Sequence, residues 1–198
     1  MRQPIVAAIL AGGQSRRMGR DKAGIVWRGE TLLVRTARSA GEAGCPVIVV
    51  GRERPDDWPL PDAAFVPDAF PDQGPLGGLA TALERSTGAD VLALACDLPL
   101  LNSEALRWLL AQDPLAHGVA VRNGEGWEPL FSVYAPAVLP LIHRQMATGR
   151  RSLQSLIAAG EFRPVVASPK VAAALVNVNT PEEWAQIARR QPGAEPPG

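Results

Sequence analysis

Short runs of consecutive apolar residues, each followed by glycine, proline or a polar residue, are the feature that most restricts the fold of this chain. Three of them, Ile5–Leu10, Pro46–Val50 and Val91–Ala95, lack the polar alternation of strands that face water on one side. Such runs are typical of strands buried on both faces of a parallel sheet. Between them, apolar residues recur at helical spacing, as over 76–83. The alternation predicts an α/β fold with a largely parallel sheet and helices on both faces.

Weaker signals extend this pattern to the rest of the chain. Thr31 and either Asn102 or Ser103 are predicted helix caps, and Gly74-Pro75 is a predicted helix start. Asn123-Gly124 indicates a turn between two strands. The further predicted strands are Ala64–Val66, Gly118–Val121, Leu130–Tyr134, Pro164–Ala167 and Leu175–Val178. The further predicted helices are Ala137–Ala147, Ser152–Ala159 and one that begins at Thr180-Pro181.

Length and charge limit the classes of protein. The 198 residues suit one domain over positions 1–190, and the proline-rich segment 191–198 is expected to be a disordered tail. With 20 basic and 20 acidic residues, the chain lacks the basic excess of a dedicated nucleic-acid binder. No apolar run approaches the ~18–20 residues of a membrane span. Two cysteines without a CxxC motif favour the cytoplasm.

Three chemically rich loops, at 11–22, 68–78 and 96–99, all follow predicted strands and should gather at one edge of the sheet. The first loop contains Gly12-Gly13, which allow a close approach to backbone N–H groups, and four cations including Arg17 and Lys22. A polyanion such as a triphosphate is a suitable ligand. A tight turn followed by a solvated basic helix is the alternative interpretation.

The other loops contain carboxylates and glycines. Asp97 ends a predicted strand, where a carboxylate can hold Mg²⁺ or cap the next helix. Asp68 precedes the glycines at 74–78, among them Gly77 and Gly78, which either admit a flat ligand or form a plain turn. Late in the chain, strand alternation would place Asn177 and Asn179 on one face as ligands or caps. Trp127 is predicted to lie in a loop and is the only tryptophan considered for a functional role.

Four motifs in order resemble one family. They are LAGG-x-S-x-RMG-x-DK from residue 10, GPLGG at 74–78, CDLP at 96–99 and NVNTPEE at 177–183. This combination is similar to that of the molybdenum cofactor guanylyltransferases, or MobA-like enzymes. The resemblance extends from Ile5 to about Ile187. It implies a three-layer α/β/α, Rossmann-like fold of the nucleotide-diphospho-sugar-transferase type.

The resemblance also implies a reaction: transfer of GMP from Mg-GTP to the terminal phosphate of molybdenum-loaded molybdopterin, with release of pyrophosphate. Acceptor molybdoenzymes or other cofactor-biosynthesis proteins are the protein partners that it suggests. The resemblance implies nucleotide contacts by Leu10, Ala11, Gly12 and Asp68, phosphate binding by Lys22, and magnesium binding at the nucleotide by Asp97. From the loops themselves, Gly13, Gly77 and Gly78 are also predicted to contact the nucleotide, and Lys22, Arg17 and Asp97 are the predicted catalytic residues. Asn179, near the end of a predicted strand, is predicted to share the magnesium ion with Asp97.

One position departs from the family pattern. The family can have an asparagine after the second strand, in the base or ribose region, whereas Gly51 stands here. Two other interpretations of the chain remain open. It can be a cytidylyl- or other nucleotidyltransferase with the same phosphate site, or a non-catalytic relative that binds a cofactor. Intact Lys22 and Asp97 favour an enzyme.

Overall fold

The computed structural model describes residues 3–12 and 22–178, together with positions 183 and 187. The strands are β1 (Ile5–Leu10), β2 (Val26–Trp27), β3 (Glu30–Thr31), β4 (Val47–Val50), β5 (Ala64–Val66), β6 (Asp90–Leu94), β7 (Gly118–Asn123), β8 (Gly126–Trp127), β9 (Phe131–Tyr134) and β10 (Phe162–Val166). The helices are α1 (Leu32–Glu42), α2 (Pro75–Arg85), α3 (Ser103–Leu110), α4 (Leu139–Ala147), α5 (Leu153–Ala159) and α6 (Pro169–Ala174).

The main sheet has the strand order β5-β4-β1-β6-β9. Neighbouring strands pair in parallel from β5 to β6, and β9 pairs with β6 in the antiparallel direction. The predicted fold class is therefore confirmed: the sheet is mixed but largely parallel. Because the four parallel strands point the same way, their carboxyl ends share one edge, here called the carboxyl edge.

Strand β7 lies beside β9 and extends this arrangement. The amide of Ala135 donates to the carbonyl of His117 at 3.0 Å, and that of Val121 donates to the Ser132 hydroxyl at 3.1 Å. These contacts run in opposite chain directions, so β7 is antiparallel to β9 and runs in the same direction as β6. Strand β10 pairs with β7 in parallel. The carboxyl ends of β7 and β10 therefore also lie at the carboxyl edge.

The sheet has an apolar core on each face. The first core cluster contains Leu33, Leu106 and Val171 from helices α1, α3 and α6. The second contains Leu79 and Ile142, with other residues of α2, α4 and α5. The two clusters take alternate residues of the strands, as expected for strands buried on both sides. The result is the predicted three-layer architecture.

Most predicted elements are confirmed. The Thr31 side chain accepts a hydrogen bond from the amide of Val34 at 3.3 Å, and Asn102 rather than Ser103 caps α3. The short strands β2, β3 and β8 are not among the predicted ones. Trp127, predicted in a loop, belongs to β8, so the turn at Asn123-Gly124 joins β7 to β8.

The predicted strand Leu175–Val178 is wrong. Helix α6 ends at Ala174, and the residues from 175 to 178 have no strand partner. Leu175 and Val178 are both buried, but they pack into two different apolar clusters instead of a sheet. The apolar run alone predicts a strand, whereas the cap Ser168 and the proline that follows it begin helix α6. The placement of Asn177 and Asn179 on one strand face loses its basis.

Several predictions fall outside the described residues. These are the helix that begins at Thr180-Pro181 and the tail at 191–198. Within the described part of the chain, no helix is both long and apolar enough to span a membrane.

Candidate functional site

The carboxyl ends of three neighbouring strands are joined by backbone hydrogen bonds. Past the end of β1, the amides of Ala11 and Gly12 both donate to the carbonyl of Val50, at 3.0 and 3.1 Å. Past the end of β4, the amide of Gly51 donates to the carbonyl of Val66 at 2.9 Å. These bonds hold the start of the first glycine loop against the ends of β4 and β5.

Gly12 and Gly51 are in direct backbone contact. A Cβ atom at Gly51 would lie 2.7 Å from the Cα of Gly12, and Gly51 has a φ of +81°. Both the close approach and the left-handed backbone require glycine at this position. Gly51 therefore stands in place of the asparagine of the family pattern at a position where the backbone leaves no room for a side chain.

Asp68 follows β5 and lies beside this contact. Its Oδ1 accepts hydrogen bonds from the amide of Phe70 and from the hydroxyl of Thr81, each at 2.9 Å. The Thr81 hydroxyl also accepts from the amide of Ala69 at 3.0 Å, and this threonine is only 1% exposed. Helix α2 thus fixes the orientation of a half-buried carboxylate at the carboxyl edge.

The glycines that begin α2 are held by close packing. A Cβ atom at Gly77 would lie 2.3 Å from the carbonyl oxygen of Phe70, and one at Gly78 would contact the Leu10 side chain at 3.4 Å. Both glycines are buried, and their amides donate to the carbonyl of Gly74 at 3.0 and 3.3 Å. These contacts bring the start of α2 against the end of β1. Nucleotide contact by Gly77 and Gly78 stays a prediction.

Asp97 lies three residues past the end of β6 and is half-buried. It does not cap α3, because Asn102 has that role. Its carbonyl oxygen accepts a hydrogen bond from the amide of Val178 at 3.2 Å. The C-terminal part of the chain therefore returns to Asp97 immediately before Asn179.

Helix α1 supports the loop that contains Asp97. Arg35 Nη2 donates to the carbonyl of Pro99 at 3.4 Å, and the Ser39 hydroxyl donates to the carbonyl of Leu101 at 3.3 Å. Burial is the main cause that lowers the pKa of Arg35. The neighbouring cations Arg28 and Arg38 lower it further, while Glu30 opposes them. Sequence reasoning missed Arg35, which is one of many arginines.

An open cleft of about 600 Å³ adjoins the glycine contact. Its lining includes Gly51, Arg52, Phe65, Asp68 and Pro71. With Glu53 and Arg54, which also line it, the cleft combines two carboxylates, two cations and an aromatic ring next to the strand ends. The sequence predicted Asp68 here but not Arg52 or the support from Thr81, since neither has a local signal.

Three predicted site residues, Gly13, Arg17 and Asn179, lie outside the described residues. Lys22 begins a short 3₁₀ turn that ends at Gly24. The described part of the chain contains no cluster of three or more His, Cys, Asp or Glu residues suited to a metal. The structure brings together the backbone after β1, Gly51 and Asp68. Asp97 follows the neighbouring strand β6 at the same edge.

Comparison with known proteins agrees with this geometry. The family model of the MobA-like NTP transferase domain matches residues 7–187. A protein of Synechococcus elongatus named "Probable molybdenum cofactor guanylyltransferase" is 39% identical over 189 residues, covering 90% of this chain and 95% of the relative. The "Molybdenum cofactor guanylyltransferase" of Pseudomonas putida is 35% identical over 187 residues, covering 91% of this chain and 96% of the relative.

A solved structure shares the fold. It is the molybdopterin-guanine dinucleotide biosynthesis protein A of Archaeoglobus fulgidus, with a TM-score of 0.71, 21% identity, and coverage of 93% of this chain and 99% of that chain. The family model and the named relatives define a nucleotidyltransferase. The chain belongs to the MobA-like NTP transferase family.

Proposed function

We propose that this enzyme transfers GMP from Mg-GTP to the terminal phosphate of molybdenum-loaded molybdopterin and releases pyrophosphate. The observation that carries the proposal is the contact between Gly12 and Gly51 beside the fixed carboxylate of Asp68. Bare backbone at the ends of parallel strands is where nucleotides bind in α/β folds. The choice of guanine and of the acceptor comes from the named relatives.

In this proposal the nucleotide lies along the ends of β1, β4 and β5. Leu10, Ala11, Gly12 and Gly13 approach it with their backbone, and Asp68, Gly77 and Gly78 complete the nucleoside side. Lys22 and Arg17 neutralise charge on the phosphates. For the phosphate-bearing acceptor, the exposed pair Arg150-Arg151 offers two cations.

The residues fit a magnesium ion. Mg²⁺ binds oxygen ligands and often takes only one or two from the protein, the rest being water and substrate phosphates. Asp97 supplies a carboxylate and Asn179 an amide oxygen. The hydrogen bond from Val178 to Asp97 supports their proximity, because Val178 directly precedes Asn179. When bound, the ion neutralises charge on the phosphate oxygens.

The reaction is an in-line displacement. An oxygen of the acceptor phosphate forms a bond to the α-phosphorus of GTP, and the bond from that phosphorus to the pyrophosphate oxygen breaks. No strong general base is needed, since a phosphate monoester is already largely ionised at pH 7. Catalysis then rests on positioning and on charge neutralisation by Lys22 and Arg17, with Asp97 as the carboxylate that would hold the magnesium ion. Enzyme and substrates are expected in the cytoplasm, with molybdoenzymes as recipients of the product.

The test is a nucleotide panel. Pyrophosphate release is measured with GTP, CTP and ATP, each with Mg²⁺ and with or without molybdenum-loaded molybdopterin. We expect acceptor-dependent release with GTP and a lower kcat/KM for the other two nucleotides. Equal efficiency with CTP would identify a cytidylyltransferase. Binding of molybdopterin without pyrophosphate release would identify a cofactor-binding relative.

A further inference from the structure

The β7–β8 hairpin occupies the half of the carboxyl edge that the proposed nucleotide site leaves unused. β7 is separated from β6 by β9 and runs in the same direction as β6. Neighbouring strands are ~4.8 Å apart, so the ends of β6 and β7 are separated by roughly 10 Å. The amide of Ala95, two residues before Asp97, donates to the carbonyl of Leu130 at 3.2 Å. The segment after the hairpin therefore connects directly to the Asp97 loop.

Arg122 and Trp127 form a stacked pair on this hairpin. They are direct cross-strand partners, and the guanidinium carbon of Arg122 lies 5.0 Å from the centre of the Trp127 ring. The half-buried indole packs against the second core cluster. Gln154 of α5 donates to the Trp127 carbonyl at 3.0 Å and holds the strand in place. A flat cation is thus mounted on a fixed aromatic support.

The charge of Arg122 is not neutralised nearby. Its Nη2 donates to the backbone carbonyl of Glu125 at 3.4 Å. The Glu128 carboxylate, just after the hairpin, accepts instead from the side-chain amide of Asn123 at 3.0 Å. Among the described residues, Arg122 has no carboxylate partner, and its side chain is exposed. A structural salt bridge therefore does not account for this arginine.

We propose that Arg122, supported by Trp127, is the surface on which the pterin ring of the acceptor stacks. The inference rests on the proposed function and assigns the second substrate to this half of the edge. The acceptor phosphate must reach the nucleotide near Asp97, and the pterin ring is at the other end of that molecule. A guanidinium stacks on flat π systems, and its N–H groups donate to ring carbonyls. Arg122 binds the acceptor, and Trp127 is a positioning residue.

The test uses four variants of the full chain. Arg122→Gln removes the cation, Trp127→Leu removes the support, and Trp127→Phe retains an aromatic surface. Arg163→Gln is the matched control, because Arg163 is an exposed arginine on the neighbouring strand β10. The KM for molybdopterin, the kcat and the Kd of Mg-GTP are measured for each, and direct binding of molybdopterin is measured without nucleotide.

We expect Arg122→Gln to raise the KM for molybdopterin about tenfold, with the kcat and the Kd of Mg-GTP unchanged. Trp127→Leu should change the KM in the same direction, and Trp127→Phe should restore most of it. An unchanged KM and unchanged direct binding in Arg122→Gln would overturn the inference, as would equal effects in Arg163→Gln. Absence of GMP transfer by the wild type would instead contradict the proposed function, while direct binding would still decide the role of Arg122.

Discussion

The carboxyl edge of the main sheet and its opposite, amino end contain similar residues in different surroundings. Each end has an aspartate on or near β6, a cavity and a glycine with positive φ. At the carboxyl edge, Asp97 lies beside the returning C-terminal segment, and Gly51 touches the backbone of Gly12. At the amino end, Asp90 lines a pocket of about 260 Å³ together with Gln3, Gln112 and apolar residues, and the Cβ position of Gly88 is open.

The comparison shows that convergence of loops, not the presence of a carboxylate or a cavity, defines the site. Loops from β1, β4, β5 and β6 meet at the carboxyl edge and offer backbone and fixed polar groups. The lining of the amino-end pocket includes Leu109, Leu110 and Val133, which suit packing. Four predictions test this difference, each with a matched position at the other end where the chain offers one.

The largest expected effect comes from Asp97→Ala. Loss of the carboxylate proposed to hold the magnesium ion should lower kcat/KM with GTP by roughly 10³-fold. A urea unfolding curve checks that the variant is folded. Near-normal turnover in this variant would show that Asp97 has no catalytic role at the carboxyl edge.

Gly51→Ala should distort the nucleotide side. Gly88→Ala is its control, since Gly88 has a φ of +88° but open space where a Cβ would lie. We expect about 1–2 kcal/mol of destabilisation in Gly88→Ala from the backbone conformation alone. Gly51→Ala should add a further ~1–3 kcal/mol from the clash with Gly12 and raise the KM for GTP. Urea unfolding and steady-state kinetics measure both. Equal values for the two variants would contradict the importance of the close approach.

Thr81→Val should weaken the orientation of Asp68. The variant lacks the hydroxyl that bonds the amide of Ala69 and the Asp68 carboxylate. The free energy of unfolding should fall by about 1–3 kcal/mol, because buried polar groups lose a partner. The KM for GTP should rise several-fold. Thr81→Ser should preserve both bonds.

Ser86→Ala is the counterpart at the far end of α2, where the hydroxyl donates to the carbonyl of Ala82 at 2.7 Å. It should lower stability by about 1 kcal/mol and leave the KM for GTP unchanged. If Ser86→Ala raised the KM for GTP as much as Thr81→Val, the effect of Thr81→Val could not be assigned to the orientation of Asp68.

The smallest effect is expected for Asp90→Asn. Burial raises the pKa of Asp90, so the folded state disfavours its charged form. A raised carboxyl pKa stabilises the fold at low pH, and this contribution is lost as the pH rises through the folded pKa. Asp90→Asn should therefore gain stability on the order of 0.5 kcal/mol at pH 7. The gain should disappear near pH 3, and turnover should not change. Thermal unfolding at the two pH values measures this; a loss of turnover would assign function to the amino end.

Local signals made much of the fold predictable. Apolar runs identified β1, β4 and β6, because a strand buried on both faces needs no polar alternation. Caps identified the starts of α1 and α3, because Thr31 and Asn102 bond to amides three residues on. The failure at 175–178 has the same origin, since burial of Leu175 and Val178 comes from tertiary packing that a run of apolar residues cannot distinguish from a strand.

Features of the site that join distant segments could not be predicted. The contact of Gly12 with Gly51 depends on the register of β1 against β4. The bond from Thr81 to Asp68 depends on how α2 packs on the strand ends. The stacking of Arg122 on Trp127 required the hairpin turn to be assigned to β7 and β8 instead of β7 and β9.

The hydrogen bond from Val178 to the Asp97 carbonyl also has a consequence for biosynthesis. The ribosome makes a chain from its N-terminus, at ~5–20 residues per second, and early segments begin to fold before late ones exist. The glycine contact joins residues 12 and 51, whereas the bond at the Asp97 loop needs Val178. A nascent chain therefore contains both partners of the glycine contact well before it contains the donor to the Asp97 carbonyl.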